Sequence, residues 1–235
     1  MMDATVTTII GIGIVPTNHH HHLMFGLLGA AWKQFQGQQP ITTTILLGPS
    51  GVGKTTILER LKTLFACNEN ETKMTKIRPT VGLNVANLKV ENTYFLVWDF
   101  GGKESLRPIW EKYVGDAKTV VYVIDSSSED TVNEAKKLLK ELLERQDLLR
   151  VPFLIYVNKQ DLPGALSLQQ VVDKLDLAVE VNRLRWFQNC SALQNYGIKE
   201  GFEWLERHLT ITCQNSTNEK KVNLAKPESS YRAEQ

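Results

Sequence analysis

The chain has 235 residues, enough for one α/β domain with loose ends and a sizeable core. Its charge is nearly balanced, with 27 Lys+Arg against 26 Asp+Glu, which gives no support for nucleic-acid binding. Cys67, Cys190 and Cys213 form no CxxC pair and read as reduced structural thiols of a cytosolic protein, and no apolar run has the roughly 20 residues of a membrane span.

In chain order, residues 1–22 read as an N-terminal extension that is disordered, with Asp3 where a signal peptide would carry positive charge. The run His19-His20-His21-His22 reads as a solvated linker rather than a metal site. Residues 23–37 predict an amphipathic helix, because Met24, Leu27, Leu28, Ala31, Trp32 and Phe35 recur at helical spacing. Such a face suits the domain's own surface and a membrane interface equally well.

From residue 41 strands and helices alternate, which predicts an α/β domain over 38–212 with a mainly parallel sheet covered on both faces. Strands are expected at 41–47, 85–90, 94–98, 119–124, 153–157 and 186–190, with a hairpin turn at Glu91-Asn92. Helices are expected at 54–64, 131–144, 167–175 and 198–209, and Ser167 with Gln170 has the form of a capping box. Residues 213–235 are polar without periodicity and read as a disordered tail. Its Asn215-Ser216-Thr217 acceptor would go unused in the cytosol.

Four stretches carry the chemistry. Gly48-Pro49-Ser50-Gly51-Val52-Gly53-Lys54-Thr55 matches GxxxxGK[ST] between a strand and a helix. There the backbone N–H groups of Ser50, Gly51, Val52 and Gly53, together with Thr56, would cradle phosphates at a helix N-terminus. Lys54 would meet the β- and γ-phosphates and Thr55 a Mg²⁺ ion. Asn158-Lys159-Gln160-Asp161 follows a strand, where open sheets bind ligands. The Asp161 carboxylate can accept from N1–H and the 2-amino group of guanine, donors that adenine lacks. Asn158 would tie that loop to the phosphate loop, and the Lys159 stem would lie along the base. Cys190-Ser191-Ala192 can offer a backbone N–H to the guanine oxygen, which places Ser191 and Ala192 in the site. Asp99, at the end of a strand, would hold Mg²⁺ through water, and Gly102 would offer its N–H to a γ-phosphate. Thr80 would join the metal when its loop closes. GTP/GDP and Mg²⁺ are therefore the expected ligands, in a site whose two loops are tethered by one γ-phosphate.

The run Pro79-Thr80-Val81-Gly82-Leu83-Asn84-Val85 resembles the Arf and Arf-like small GTPases, as do Val97-Trp98-Asp99-Phe100-Gly101-Gly102 and Arg107-Pro108-Ile109-Trp110. Asn158-Lys159-Gln160-Asp161-Leu162-Pro163 and Glu200-Gly201-Phe202-Glu203-Trp204-Leu205 resemble them too. Within that family, residues 67–76 and the segment Gly197-Ile198-Lys199-Glu200-Gly201 lean towards the Arf-related branch, which acts at the Golgi. The resemblance implies a P-loop NTPase (small G-protein) fold with a six-stranded, mostly parallel sheet. It implies a monomeric switch, cytoplasmic and peripheral on Golgi or related membranes, working with exchange factors and effector proteins. The helix over 24–35 would leave the core in the GTP state and meet the membrane surface. Met2 stands where family members often carry a myristoylated glycine, so that signal is not expected.

Three positions depart from the family pattern. Lys103 follows the DxxG motif where small GTPases usually carry glutamine. An amide both donates to and accepts from the attacking water, whereas an ammonium group donates only. Slow or impaired hydrolysis is therefore expected, with Lys103, Gly102 and Thr80 as the catalytic set and Glu104 as a substitute of lower rank. A GTP-binding interaction module with negligible catalysis is the alternative. Ser50 replaces an aspartate, in a string that also resembles guanylate kinases, which would not need the NKxD stretch. Leu83 replaces an aromatic residue that forms the family's effector surface with Trp98 and Tyr113.

Overall fold

The computed structural model describes residues 41–65, 80, 82–177 and 184–209, which all fall in one compact unit spanning Ile41–Gln235. The predicted extension, the helix at 23–37, the segment 67–76 and the tail from 213 lie outside the described residues. Among the described residues, the chain runs β1 (Ile41–Leu47), α1 (Lys54–Phe65), β2 (Leu83–Val90) and β3 (Thr93–Phe100). It continues through α2 (Arg107–Val114), β4 (Thr119–Asp125), α3 (Glu129–Leu143), β5 (Phe153–Asn158), α4 (Leu168–Leu175) and β6 (Arg185–Asn189), and closes with a helix, α5, over 198–209.

The six strands lie in the order β2-β3-β1-β4-β5-β6. β2 runs antiparallel to β3 and every other pairing is parallel, as expected for alternating strands and helices. The β2–β3 hairpin pairs Val90 with Thr93 across Glu91-Asn92, and Glu91 takes the positive φ of 49° that so tight a turn demands.

Burial explains why the central strands read as continuous apolar runs. Every residue of β4 and β5 is buried, so both faces of the sheet are covered. Phe95, Val97, Val121, Val123, Leu154 and Tyr156 point to one face, where they meet Ile57, Leu58 and Leu61 of α1 and Ile198, Phe202 and Leu205 of α5. Phe95 and Phe202 meet edge to face at 5.4 Å. On the opposite face the Tyr122 hydroxyl donates to Ala135 O of α3 at 2.9 Å.

Differences from the expected elements are local. Helix α2 is absent from the sequence reading; Pro108 in its first turn suits a helix start, but only Trp110 and Val114 are buried along it. β3 runs on to Phe100, so Asp99 lies inside the strand rather than after it. α3 begins at Glu129, two residues early, because Ser128 caps it by accepting from Thr131 N. The capping box of α4 forms as expected between Ser167 and Gln170. Trp98, expected at an effector surface, is buried and packs edge to face on Tyr113 at 5.6 Å.

Candidate nucleotide-binding site

The site lies at the carboxyl ends of β1, β3, β4 and β5, where each strand delivers a loop. A cavity of about 290 Å³ is lined by Ser50, Gly51, Gly53, Lys54, Thr55, Thr56, Thr80, Phe100, Gly101, Gly102 and Lys103. This gathers the expected phosphate and metal residues, with two exceptions. Val52 is buried beneath the loop, and Asp99 is fully buried behind it.

The loop after β1 turns through positive φ at Gly48, Gly51 and Gly53 before α1 starts at Lys54. Gly53 is needed for space as well, since a Cβ there would run into Asn158 Nδ2. Lys54 folds back along the loop and donates to Gly48 O at 2.8 Å and Pro49 O at 2.6 Å. Its ammonium group is thus held at the loop's mouth. Gly102 comes close from the other side: a Cβ on it would stand 2.5 Å from Lys54 Nζ.

Three oxygens converge beneath Lys54. Thr55 Oγ1 donates to Asp99 Oδ2 at 2.7 Å and lies 2.7 Å from Thr80 Oγ1, which reaches Asp99 Oδ2 at 3.4 Å. Thr80, expected to join only when its loop closes, is therefore drawn in. Asp99 Oδ1 is buried with no hydrogen-bond partner among the described residues, an unmet acceptor inside an oxygen cluster. Two hydroxyls and a carboxylate suit a hard divalent cation such as Mg²⁺.

The electrostatics show the strain of that arrangement. Burial pushes the Asp99 carboxyl up to about 6, against the Thr55 hydrogen bond and the Lys54 charge, which pull it down. Burial also draws Lys54 down to about 8, against the attraction of Asp99 and Glu134. A carboxyl raised above its unfolded value of 3.8 favours folding below that value and loses the advantage as pH rises through 6. Metal-free, nucleotide-free protein is therefore expected to be more stable at pH 5 than at pH 7.5, by about 1–2 kcal/mol. Urea titration of the native chain and of Asp99→Asn at both pH values checks this. A native midpoint that moves no more than the variant's would refute it.

The base-reading end is built around Asn158. Its Nδ2 donates to Val52 O at 2.8 Å, and its Oδ1 accepts from Ala192 N at 2.9 Å and from Cys190 Sγ at 3.6 Å. The expected tie between base loop and phosphate loop is thus present. Asp161 Oδ1 accepts from Ser191 Oγ at 2.5 Å, which fixes the carboxylate edge-on. Cys190 N is bonded to Val157 O and Ser191 N to Tyr196 O. Ala192 N is held by the Asn158 side chain rather than by another strand.

Two residues that sequence reasoning missed brace this end. Asp125, at the end of β4, takes Lys159 Nζ on Oδ2 at 2.5 Å and fixes the Lys159 stem. Its position at the carboxyl end of a parallel strand was the signal available. Ser126 Oγ donates to Asn158 O at 2.7 Å and accepts from Gln160 Nε2 at 2.8 Å, locking the turn from behind.

Lys103 is exposed and lines the phosphate cavity. Glu104, weighed as its substitute, has its side chain 88% exposed and reaches Arg107 Nη1 at 3.8 Å, so it is turned away from the cavity.

Comparison with known proteins agrees with this geometry. The ADP-ribosylation factor family profile matches residues 29–209. ADP-ribosylation factor-like protein 3 of Chlamydomonas reinhardtii is 38% identical over 75% of this chain and 94% of its own length. ADP-ribosylation factor-related protein 1 of Bos taurus is 36% identical over 77% of this chain and 91% of its own length. These two identities do not separate the Arf-like from the Arf-related branch. Among solved structures, the Arl6 BBS3 small GTPase of Trypanosoma brucei with bound nucleotide analogue GppNp superposes with a TM-score of 0.64 at 28% identity, covering 73% of this chain and 98% of that one.

Proposed function

This chain belongs to the ADP-ribosylation factor family, and from that premise we propose that it is a slow-hydrolysing, membrane-recruiting switch of vesicle or Golgi traffic. It is an Arf-like small GTPase that binds GTP and GDP with Mg²⁺. The observation that carries the mechanism is the convergence of Thr55, Thr80 and Asp99 beneath Lys54. Thr55 and Thr80 would hold Mg²⁺ directly and Asp99 through water. When bound, the cation would neutralise charge on the β- and γ-phosphates.

The chain's own residues divide the remaining work. Among the described residues Lys54 donates to two carbonyls at the loop's mouth, which an arriving phosphate could replace. Gly102 has no side chain to fill the space beside Lys54 and Pro49, so its N–H would be offered to a γ-phosphate there. Thr80 would tie its segment to the γ-phosphate through Mg²⁺, a tie that would be lost with the phosphate. Exchange factors reload proteins of this family, and effectors read the loaded form.

Slow hydrolysis rests on Lys103. The residue that should orient the attacking water lines the cavity but carries donors only, and Glu104 faces away. The same observation favours a second reading, a GTP-loaded recruiter with negligible turnover. Single-turnover phosphate release from GTP-loaded Lys103→Gln is expected to exceed that of the native chain by roughly five- to tenfold, the worth of one regained hydrogen bond. Equal rates would mean that another group positions the water.

Membrane recruitment rests on the helical spacing of the apolar residues Met24, Leu27, Leu28, Ala31, Trp32 and Phe35 in the sequence. GTP-loaded protein is expected to co-sediment with phospholipid vesicles at least severalfold more than GDP-loaded protein. Equal recovery of the two would remove the membrane from the reading.

A further inference from the structure

Ala192 is gripped from two sides. Its N–H donates to Asn158 Oδ1 at 2.9 Å, and its carbonyl accepts from Arg60 Nε at 2.9 Å. The same guanidinium reaches Leu193 O through Nη2 at 2.7 Å. Arg60 stands on α1, the helix that carries Lys54 and Thr55 in its first turn. A guanidinium presents its donors in a fixed planar fork, so two successive carbonyls on one fork define the orientation of the backbone between them.

Cys190 and Ala192 seat the start of the turn in the core, but its outer part does not follow them: Leu193 is 71% exposed and Tyr196 50%. Ser191 and Tyr196 exchange backbone bonds at 3.0 and 3.1 Å, and Gln194 N donates to Ser191 Oγ at 3.0 Å. Those bonds shape the turn internally. Arg60 and Asn158 place it relative to the phosphate loop.

We propose that Arg60 is a positioning residue for base recognition: its fork fixes the backbone at Ala192, so that the N–H held on Asn158 Oδ1 can be shared with the oxygen on carbon 6 of guanine. The phosphate-binding helix and the base-reading turn then form one rigid frame. This rests on reading the site as a guanine site, and it adds a residue that belongs to none of the four nucleotide motifs.

The test uses the full chain in excess Mg²⁺ with three ligands: GDP, 6-thio-GDP and IDP. Sulfur on carbon 6 weakens the acceptor facing Ala192 and leaves the Asp161 contacts intact, whereas IDP lacks the 2-amino donor that Asp161 reads. In Arg60→Met, which keeps an unbranched apolar stem, GDP dissociation is expected to rise roughly tenfold. The preference for GDP over 6-thio-GDP should shrink towards one, and the preference for GDP over IDP should stay at its native value. Arg60→Lys, with a charged donor but no fork, should fall between the two.

Equal weakening for all three ligands in both variants would reduce Arg60 to a general structural role and overturn the proposal. Unchanged binding in both would overturn it as well. If the native chain fails to distinguish GDP from IDP, the guanine reading falls and the proposal falls with it. A native chain that does distinguish them isolates the fate of Arg60 from that of the site.

Discussion

Asp161→Asn is expected to move the protein's preference from guanine to xanthine nucleotides. One oxygen of Asp161 accepts from Ser191 Oγ at 2.5 Å, which holds the carboxylate in one orientation. In that orientation a carboxylate matches two donors on one edge of a base, N1–H and the 2-amino group. An amide presents one acceptor and one donor, and the donor would face the 2-amino group of guanine. Xanthine carries a carbonyl at that position, which the amide nitrogen can meet. Two charge-assisted hydrogen bonds at about 1.5–3 kcal/mol each correspond to a loss of GTP affinity on the order of 10²- to 10⁴-fold. Competition of GTP and XTP against fluorescent GDP reads the change. Weaker GTP binding without stronger XTP binding would take Asp161 out of base recognition.

The other large effect concerns Asn158. Asn158→Ala would leave Val52 O and Ala192 N without their partner in a place only 2% exposed. Each buried group stranded in that way costs about 1–3 kcal/mol. For a domain of this size, the sum should lower the thermal midpoint by roughly 5–15 °C. GDP dissociation should accelerate about 100-fold or more, because phosphate loop and base loop would no longer share a side chain. Calorimetry and stopped-flow release of a fluorescent GDP give the two numbers separately. A lowered midpoint with native dissociation would make Asn158 a stabilising residue and nothing more.

The sequence disclosed those features that repeat or cluster along the chain. Lys54 was legible as the first residue of a helix because glycines and a strand precede it, and β1 was legible to the residue. Helix α2 was not, since its Pro108 and two buried positions make too short a pattern to outweigh the motif it sits in. The start of α3 could have been placed better, as Ser128 followed by Glu129 and Asp130 is a capping signal with acidic first-turn residues.

In the site the same division holds. Thr55, Asp99 and Asn158 were legible because each belongs to a short motif with fixed chemistry. Arg60 was not, for its partners lie 132 and 133 positions away and its own neighbours carry no sign of them. Asp125 fell between the two cases, marked by its place at a strand end but by no motif. The convergence of Thr80 on Thr55 was expected for a closed loop, and Thr80 Oγ1 lies 2.7 Å from Thr55 Oγ1, while the residues before it lie outside the described ones.

The hairpin at the edge of the sheet has a consequence for how the molecule can signal. β3 meets β1 in the register Ile41 to Tyr94 through Leu46 to Asp99, and Phe95 and Val97 are the residues it commits to the face covered by α1 and α5. A pleat repeats every two residues, so a shift of one would turn those side chains out and bring Tyr94 and Leu96 in. Any displacement of the hairpin along β1 must therefore come in even increments, each about 6.6 Å.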